Sequence, residues 1–379
     1  MTPIKIIAIG GDFIGPEVVN EGLKVLKKVE EINNLSLEIT NIEGGGNYYL
    51  NHGVEWEEGS YEQCKKADAI LFGAIGHPKA RLPDNHIAGA NIILGLRQRL
   101  DLFANIRPTK LYLGVKHKLS NEFRQIWAPK NVNFTIIREN TEGLYSSPFK
   151  HRPKVDSSLI QVIDERLISR KGSKRVIELA FQYADYKESR TPFDNVNRLT
   201  AIHKSNLLLG CQIFMDEFYS IASLHKSIVA NDILVDSFAQ DVLRSPEKYS
   251  TCVTTNSFGD ILTDLVSTLA GGMGMAPSGQ INGWSSDSHG MFEPIHGSGP
   301  DIAGKGIANP IAAILSVSMM LEWLGRKQSD DKFLISAKSV EDAVIKLLQK
   351  GDTLPLDIGG SAKTDQVGDA IVELINNSS

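Results

Sequence analysis

Strand-like and helix-like segments alternate from the start of this chain, and that rhythm leaves few architectures open to it. KIIAIGG has the unbroken apolar character of a buried strand. GPEVVNEGLKVLKKVEEI follows with the apolar spacing of an amphipathic helix opened by a proline. LSLEITNIE alternates like a strand, a helix is expected around 57–66, and ADAILFGAI reads as another buried strand. This βαβα order predicts an α/β fold with a mainly parallel sheet and helices on both faces. Past Arg107 the texture changes. LFANIRPTKLYL, NFTIIRENTEG and SLIQVIDERLIS read as strands with no helices between them, so a second, more mixed sheet is expected. Alternation resumes through SKRVIELAFQYADY, RLTAIHK, SNLLLGCQIFMDEFYSI and IVANDILVD, with further helices expected near 258–270, 308–325, 338–349 and 365–376.

With 379 residues the chain has room for two domains or for one large α/β unit. A net charge of −5 argues against a broad nucleic-acid surface, which needs a basic excess. No apolar run has membrane-spanning length, and MTPIKIIAIGGD lacks the apolar core and cleavage site of a signal peptide. Cys64, Cys211 and Cys252 are odd in number and lack ligand spacing, so they read as free thiols of a reducing cytoplasm.

Four constellations can carry chemistry. In SFGDILTDL, Asp260 and Asp264 are spaced to share one face of a helix, where like charges repel unless a cation lies between them. A hard divalent ion such as Mg2+ or Mn2+ suits oxygen ligands of this kind, and Asp236 in ILVDSFAQ offers a third carboxylate. An arbitrary D-x-x-x-D pair is more often a solvated acidic face. Here phenylalanine, isoleucine and leucine surround it, which leaves both readings open. Arg97, Arg107 and Arg138 lie beside apolar sequence, where charge is expensive; if they converge they suit a di- or tricarboxylate. Taken by spacing alone, they are more often unrelated surface arginines. Tyr145 and Lys204 are candidates for proton transfer, and a lysine between a strand and a helix can have its pKa lowered by burial or a nearby metal. A lone tyrosine or lysine is more often structural.

The fourth is the loop FEPIHGSGPDIAGKGIANP, residues 292–310, which lacks the G-x-G-x-x-G fingerprint of dinucleotide-binding domains. Its glycines permit close backbone approach, and the helix that follows is expected to open its N-terminal amides towards an anion. An aspartate in such a loop can accept from a ribose diol and repel an added 2′-phosphate, which favours NAD over NADP. The competing reading is a structural Ω-loop.

Together these segments resemble the metal-dependent β-decarboxylating 2-hydroxyacid dehydrogenases, the isocitrate/isopropylmalate dehydrogenase family, which includes homoisocitrate and tartrate/D-malate dehydrogenases. The resemblance runs over nearly the whole chain: IGPEVV, LFGAIG, LRQRLDLFANIRP, IIRENTEGLYSS, HKSN, TNSFGDILTDL, the 292–310 loop and DIGGSAKT. It implies an α/β/α sandwich of two domains with a non-Rossmann nucleotide site. The large domain would come from both chain ends, 1–102 plus 272–379. The smaller one, 103–271, would contribute an arm to a homodimer with active sites between domains, completed by the second subunit. By resemblance, Arg97, Arg107 and Arg138 clamp the malate carboxylates, and Asp236, Asp260 and Asp264 hold Mg2+ or Mn2+. Lys204 takes the hydroxyl proton and Tyr145 protonates the enol carbon, Lys204 and Asp236 coming from the partner subunit. Ile75 would contact NAD, Asn206 would sit beside its nicotinamide, and His296, Gly297, Ser298, Asp301, Ile302 and Asn309 would hold its adenosine side.

In this family the segment ahead of the first clamp arginine selects the substrate, and here it reads HIAGANIILGLR. Ile93 and Leu94, with Leu207 from the partner, offer an apolar wall suited to a 3-alkylmalate such as 3-isopropylmalate. Ala90 stands where isopropylmalate enzymes carry an acidic residue, and Asn91 adds a polar group. RENTEGLYSS and HKSN lean towards the isocitrate, homoisocitrate and tartrate/D-malate branches, and a D-malate or tartrate-like substrate is the close rival. Gly10 and Phe13 replace a proline and a glycine common in the family, which implies an altered loop beside the nicotinamide. A catalytically silent regulatory member is the remaining alternative, though such chains typically lose a carboxylate, the tyrosine or the lysine, and all are present here.

Overall fold

A computed structural model describes residues 3–146, 161, 163–188 and 190–376. In chain order its strands are β1 (Ile4–Gly11), β2 (Leu37–Asn41), β3 (Ala69–Ala74), β4 (Ala104–Lys110), β5 (His117–Leu119), β6 (Glu122–Arg124), β7 (Asn133–Glu139), β8 (Arg198–His203), β9 (Val229–Leu234), β10 (Thr251–Thr254), β11 (Pro277–Ile281) and β12 (Gly290–Pro294). Its α-helices are α1 (Ile14–Asn33), α2 (Gly46–His52), α3 (Ser60–Lys66), α4 (Ala90–Arg99), α5 (Arg170–Lys187), α6 (Leu209–Ala222), α7 (Val235–Arg244), α8 (Asn256–Ser267), α9 (Ile311–Gln328), α10 (Asp331–Lys350) and α11 (Thr364–Asn376). None of the helices is long and apolar enough to cross a membrane, among the described residues. The chain forms two compact units. The first takes described residues within Met1–Asp101, Tyr112–Gln125 and Gly271–Ser379; the second is Leu102–Leu111 with Ile126–Ala270. Residues 112–125, read from sequence as part of the smaller domain, thus pack with the chain ends.

In the first unit the strand order is β2-β1-β3-β12-β11, parallel except where β11 runs against β12. β3, AILFGA, is buried at all six positions, as a parallel strand covered on both faces must be. Helix α1 turns Val18, Val25, Leu26 and Val29 inward at helical spacing, and none of them is exposed. It ends where Asn34 takes a left-handed conformation and closes back on the Glu30 carbonyl. Helix α9 is apolar on nearly every side because it packs against α1, α10 and strands β3, β11 and β12 at once.

A buried carboxylate ties this unit together at the end of β1. Asp12 has no exposed surface, and it accepts hydrogen bonds from the backbone amides of Gly46 (2.9 Å), Asn47 (2.7 Å) and Gly76 (2.9 Å). Its own amide donates to the Ala74 carbonyl at 2.7 Å, so the exits of β1 and β3 and the start of α2 share one residue. Three charge-assisted bonds offset the cost of taking the carboxylate out of water. A Cβ at Gly45, whose φ is +128°, would fall 2.9 Å from an Asp12 oxygen, so the approach depends on glycine there.

The second unit has the strand order β4-β7-β10-β8-β9, with β4 antiparallel to β7 and the others parallel. The mixing of strand directions expected after Arg107 is therefore present, though not as a separate sheet. Its α5 begins at Ser169, whose hydroxyl accepts from the Gly172 amide at 3.0 Å in an N-terminal cap. SLIQVIDERLIS, expected as a strand, is not one in its described part. Ser158–Ile160 and Val162 of it lie outside the described residues. Within 163–169 only Leu167 bridges, to Gly143, while Ile163 is 78% exposed and Leu167 41%. An alternating pattern needs a neighbouring strand to complete the ladder, and this segment has none among the described residues. Cys64, Cys211 and Cys252 are free and buried.

Replacing Asp12 with alanine strands three backbone donors in the interior. We expect it to lower unfolding stability by at least about 3 kcal/mol, read as a fall in the urea midpoint. A midpoint within error of the parent would remove Asp12 from its place in this unit.

Candidate active site

Arg138, the last-but-one residue of β7, is only 1% exposed and heads the fully buried side chains by size. It passes close beneath α8 because residue 259 is glycine: a Cβ there would sit 2.6 Å from Arg138 Cγ. Asn256 Oδ1 accepts from Arg138 Nε at 3.1 Å and from Nη2 at 2.7 Å, while Nη1 donates to Asp260. The Asn256 amide donates in turn to the Glu142 carbonyl at 2.8 Å, which fixes its flip state. Helix α8 presents Asp260, Thr263 and Asp264 on one face, as their spacing requires. Arg107 of β4 meets that face, with Nη1 2.6 Å from Thr263 Oγ1, 3.5 Å from Asp264 and 3.9 Å from Asp260. Tyr145 donates to Asp260 Oδ2 at 2.9 Å, and its ring centroid lies 5.6 Å from the Arg138 guanidinium carbon.

Arg107, Arg138, Tyr145, Asp260 and Asp264 thus form one cluster in the second unit. Its electrostatics define donors and acceptors. Burial, reinforced by the Asp260 charge, raises the Tyr145 pKa, so the phenol keeps its proton at neutral pH and can give it away. Burial also raises Asp264; Arg107 opposes that shift and the Asp260 charge adds to it. Two carboxylates one turn apart, one reluctant to ionise beside the other, are a donor set that a hard divalent cation relieves. Asn256 and Thr263, which hold the two arginines, were not singled out from sequence, although both lie in or beside the quoted TNSFGDILTDL.

Lys204 and Asp236 lie elsewhere on the same unit and pair with each other, Nζ to Oδ1 at 2.5 Å. That bond is the main reason the Asp236 pKa is lowered. Among the described residues no three His, Cys, Asp or Glu side chains gather as a metal site, so Asp236 does not join Asp260 and Asp264 within one chain. The neighbouring Asn206 is exposed, as is Leu207 at 73%. Beneath Lys204 the buried His203 accepts at Nδ1 from the Ser205 amide (3.1 Å), which leaves Nε2 to donate to Asp232 at 2.9 Å. Asp232 also accepts from the Tyr219 hydroxyl. This chain of bonds orients the turn that carries Lys204.

In the first unit the glycine-rich loop is anchored rather than loose. Ser298 Oγ donates to the Gly76 carbonyl at 2.6 Å, and its own carbonyl accepts from Ile14 at 3.0 Å. Ile302 packs on Ile14, Val18, Ala308 and Ala313. Gly304 and Gly306 have φ of +72° and +62°, and the Gly306 carbonyl accepts from the Thr364 amide at 3.0 Å. His296 Nδ1 donates to the Gly297 carbonyl at 2.9 Å, while Nε2 is buried without a partner among the described residues. Burial lowers this histidine's pKa, so Nε2 is an open acceptor, as a bound nucleotide could use. Asp301 is exposed and makes no hydrogen bond among the described residues, which leaves its carboxylate available to a diol. Asn309 is committed internally: Oδ1 accepts from Ile311 at 2.9 Å and Nδ2 faces both Asp357 oxygens at 3.1 Å. The first turn of α9 is buried and its leading amide is taken by Asn309, so the expected opening of helix amides towards an anion is not found.

Also in this unit, α4 carries Ile93 and Leu94, both half-buried, and Arg97, which is 8% exposed. Arg97 Nε donates to Gln280 at 2.7 Å and Nη2 to Glu293 at 3.3 Å; these two partners were not picked out from sequence. Ile75 lies against the start of the same helix, its Cγ2 2.5 Å from where a Cβ on Gly89 would stand. Phe13 has φ +52°, the kind of backbone that a glycine adopts readily and a bulky residue rarely does. Its ring stacks on His77 at 4.8 Å, a contact that offsets part of that strain. The departure from glycine noted in the sequence is thus kept at a position whose backbone still has the glycine form.

The profile of the isocitrate/isopropylmalate dehydrogenase family matches residues 5–371. A homoisocitrate dehydrogenase of Methanocaldococcus jannaschii is 40% identical, over 98% of both chains. A 3-isopropylmalate dehydrogenase of Methanothermobacter thermautotrophicus is 36% identical, over 96% of both. The crystal structure of isocitrate dehydrogenase from Methylococcus capsulatus superposes with a TM-score of 0.81 at 31% identity, covering 98% of this chain and 99% of that one. The α/β fold and the resemblance read from the motifs agree with all three. The chain belongs to the isocitrate/isopropylmalate dehydrogenase family.

Proposed function

We propose that the protein catalyses NAD-dependent oxidative decarboxylation of a 3-substituted (R)-malate such as 3-isopropylmalate, giving a 2-keto acid, CO2 and NADH. The observation that carries this reading is the cluster of Arg107, Arg138, Tyr145, Asp260 and Asp264, in which two guanidinium groups, two carboxylates and a protonated phenol meet. Guanidinium forks match substrate carboxylates, so Arg107 and Arg138 orient the hydroxy acid, and Arg97 adds a third cation. Asp260 and Asp264 suit Mg2+ or Mn2+, and Asp236 completes the donor set from the partner subunit of a homodimer. Lys204 comes with it, since the two are paired in each chain.

A divalent ion held by these carboxylates would supply Lewis acidity, and NAD+ would supply the hydride acceptor. Lys204 removes the hydroxyl proton. Breaking the bond from C3 to its carboxylate releases CO2 and leaves its electron pair in an enolate, whose C3 takes a proton from the Tyr145 hydroxyl to give the 2-keto acid. The raised pKa of Tyr145 keeps that proton available until it is needed. His296 Nε2 and Asp301 supply an acceptor and a carboxylate on the adenosine side, and the charge of Asp301 disfavours a 2′-phosphate.

A second reading, with homoisocitrate as substrate, is favoured by the similarity to the homoisocitrate enzyme. Against it, the residues ahead of Arg97 are Ile93 and Leu94, and a free distal carboxylate on the substrate would need a cation where they stand.

Three outcomes are expected. Asp260→Asn should cut Mn2+-dependent turnover on the order of 10³-fold, with a native far-UV spectrum but a lower thermal transition, because the buried Arg138 loses its counter-charge; near-parental activity would remove the metal assignment. The parent should prefer NAD+ to NADP+, and Asp301→Asn should narrow the gap; a preference for NADP+ in the parent would overturn the role of Asp301. In a screen of 3-isopropylmalate, D-malate, tartrate, isocitrate and homoisocitrate with NAD+ and Mn2+, the highest kcat/KM should fall to 3-isopropylmalate. A lead for homoisocitrate would establish the second reading instead.

A further inference from the structure

Helix α4 begins without any of the usual compensation for its open amides. Its N-cap is Gly89 at φ +94°, no side chain of its own caps it, and its first turn, starting at Ala90, has no acidic residue. The compensation arrives from a residue more than thirty positions earlier. Glu55 Oε1 accepts from the Gly89 amide at 2.6 Å, and Oε2 accepts from the Asn91 side-chain amide at 2.7 Å. A carboxylate at a helix N-terminus is also favoured by the helix dipole.

Glu55 can do this because its backbone is itself held. Its carbonyl accepts from the Gly45 amide at 2.8 Å, and the next residue, Trp56, bridges to Gly44. Gly45 adjoins the amides that bind the buried Asp12, so Glu55 is tied to the segment that Asp12 holds. At its other end α4 is gripped through Arg97 by Gln280 and Glu293. Ile93 and Leu94 lie between these two anchors. The Asn91 amide, which the sequence suggested would make the substituent pocket more polar, donates to Glu55.

From this arrangement we infer that Glu55 is a positioning residue for substrate selection: by capping α4 in trans and holding Asn91, it fixes where Ile93 and Leu94 stand. The inference rests on the proposed role of α4 in receiving the substrate's 3-substituent. Small displacements of positioning elements are costly in catalysis, and one methylene in an apolar pocket changes discrimination measurably.

The test compares the full-length parent with Glu55→Ala and Glu55→Gln. Hydrogen exchange at the Gly89 amide, the proton that Glu55 binds, is expected to quicken at least about tenfold in Glu55→Ala, with β1 and β3 still protected. In kinetics, Glu55→Ala should raise KM for the preferred substrate about tenfold with a smaller change in kcat, and shrink discrimination between malates differing by one methylene. Glu55→Gln, which keeps one acceptor oxygen, should restore much of both. Unchanged exchange at Gly89 overturns the inference whatever the substrate. Faster exchange with unchanged KM and discrimination overturns it too, since Glu55 would then only stabilise. If the parent turns over none of the five acids screened, the substrate reading fails, and the exchange arm still decides whether Glu55 holds α4.

Discussion

A guanidinium as deeply buried as that of Arg138 has to be neutralised and fully hydrogen-bonded, or the strand that carries it could not occupy the interior. That requirement organises the second unit. Asn256 takes one edge of the fork and Asp260 the remaining nitrogen, so the start of α8 is drawn onto the end of β7. Gly259 is the sequence's concession to that contact. Once α8 is placed, Asp264 and Thr263 meet Arg107, and the second Asp260 oxygen is left for Tyr145. The chemistry attributed to the cluster is therefore a by-product of a packing problem solved with charge. The same carboxylate that steadies Arg138 adds to the burial that keeps Tyr145 protonated.

A second theme is that helices here are started by carboxylates belonging to other segments. Asp12 serves α2 and Glu55 serves α4, both of which have glycine N-caps with no side chain to offer. Glu142 takes the Ser169 amide at 2.8 Å, just where α5 begins. A local cap stabilises only its own helix. A borrowed one also fixes the helix relative to the lender, which suits elements that must hold side chains in register.

Periodicity made most of the scaffold legible. β1, α1, β3 and α9 were readable because strands buried on both faces are continuous apolar runs and helices repeat at 3.6 residues. It failed in the described part of SLIQVIDERLIS, which among the described residues makes a single bridge and no ladder, and at α2, whose GNYYLNH is too short for a helical period to appear. Asp260, Asp264, Arg107, Arg138 and Tyr145 could be proposed because residue type and motif order are local facts. What could not be read was who holds them. Asn256, Thr263, Gln280, Glu293 and Glu55 act through contacts made at long sequence separation, and an asparagine or glutamate carries no local mark of such a duty. Asn309 shows the converse: it stood out in a motif, yet its amide is occupied in pegging α9 to Asp357.

The order of strands in the first unit bears on how the protein is made. β3 pairs with β1 on one side and with β12 on the other, and all six of its residues are buried. During synthesis β1 and β3 emerge early, whereas β12 is translated about two hundred residues later, so one edge of AILFGA waits unpaired while the whole second unit is threaded out. An open apolar edge of that kind is a template for pairing with a neighbouring nascent chain. The second unit, contiguous apart from a short excursion, can fold on the ribosome in the meantime. A discontinuous domain thus turns translation speed and chaperone occupancy into factors in yield, and the vulnerable interval closes only when β12 arrives.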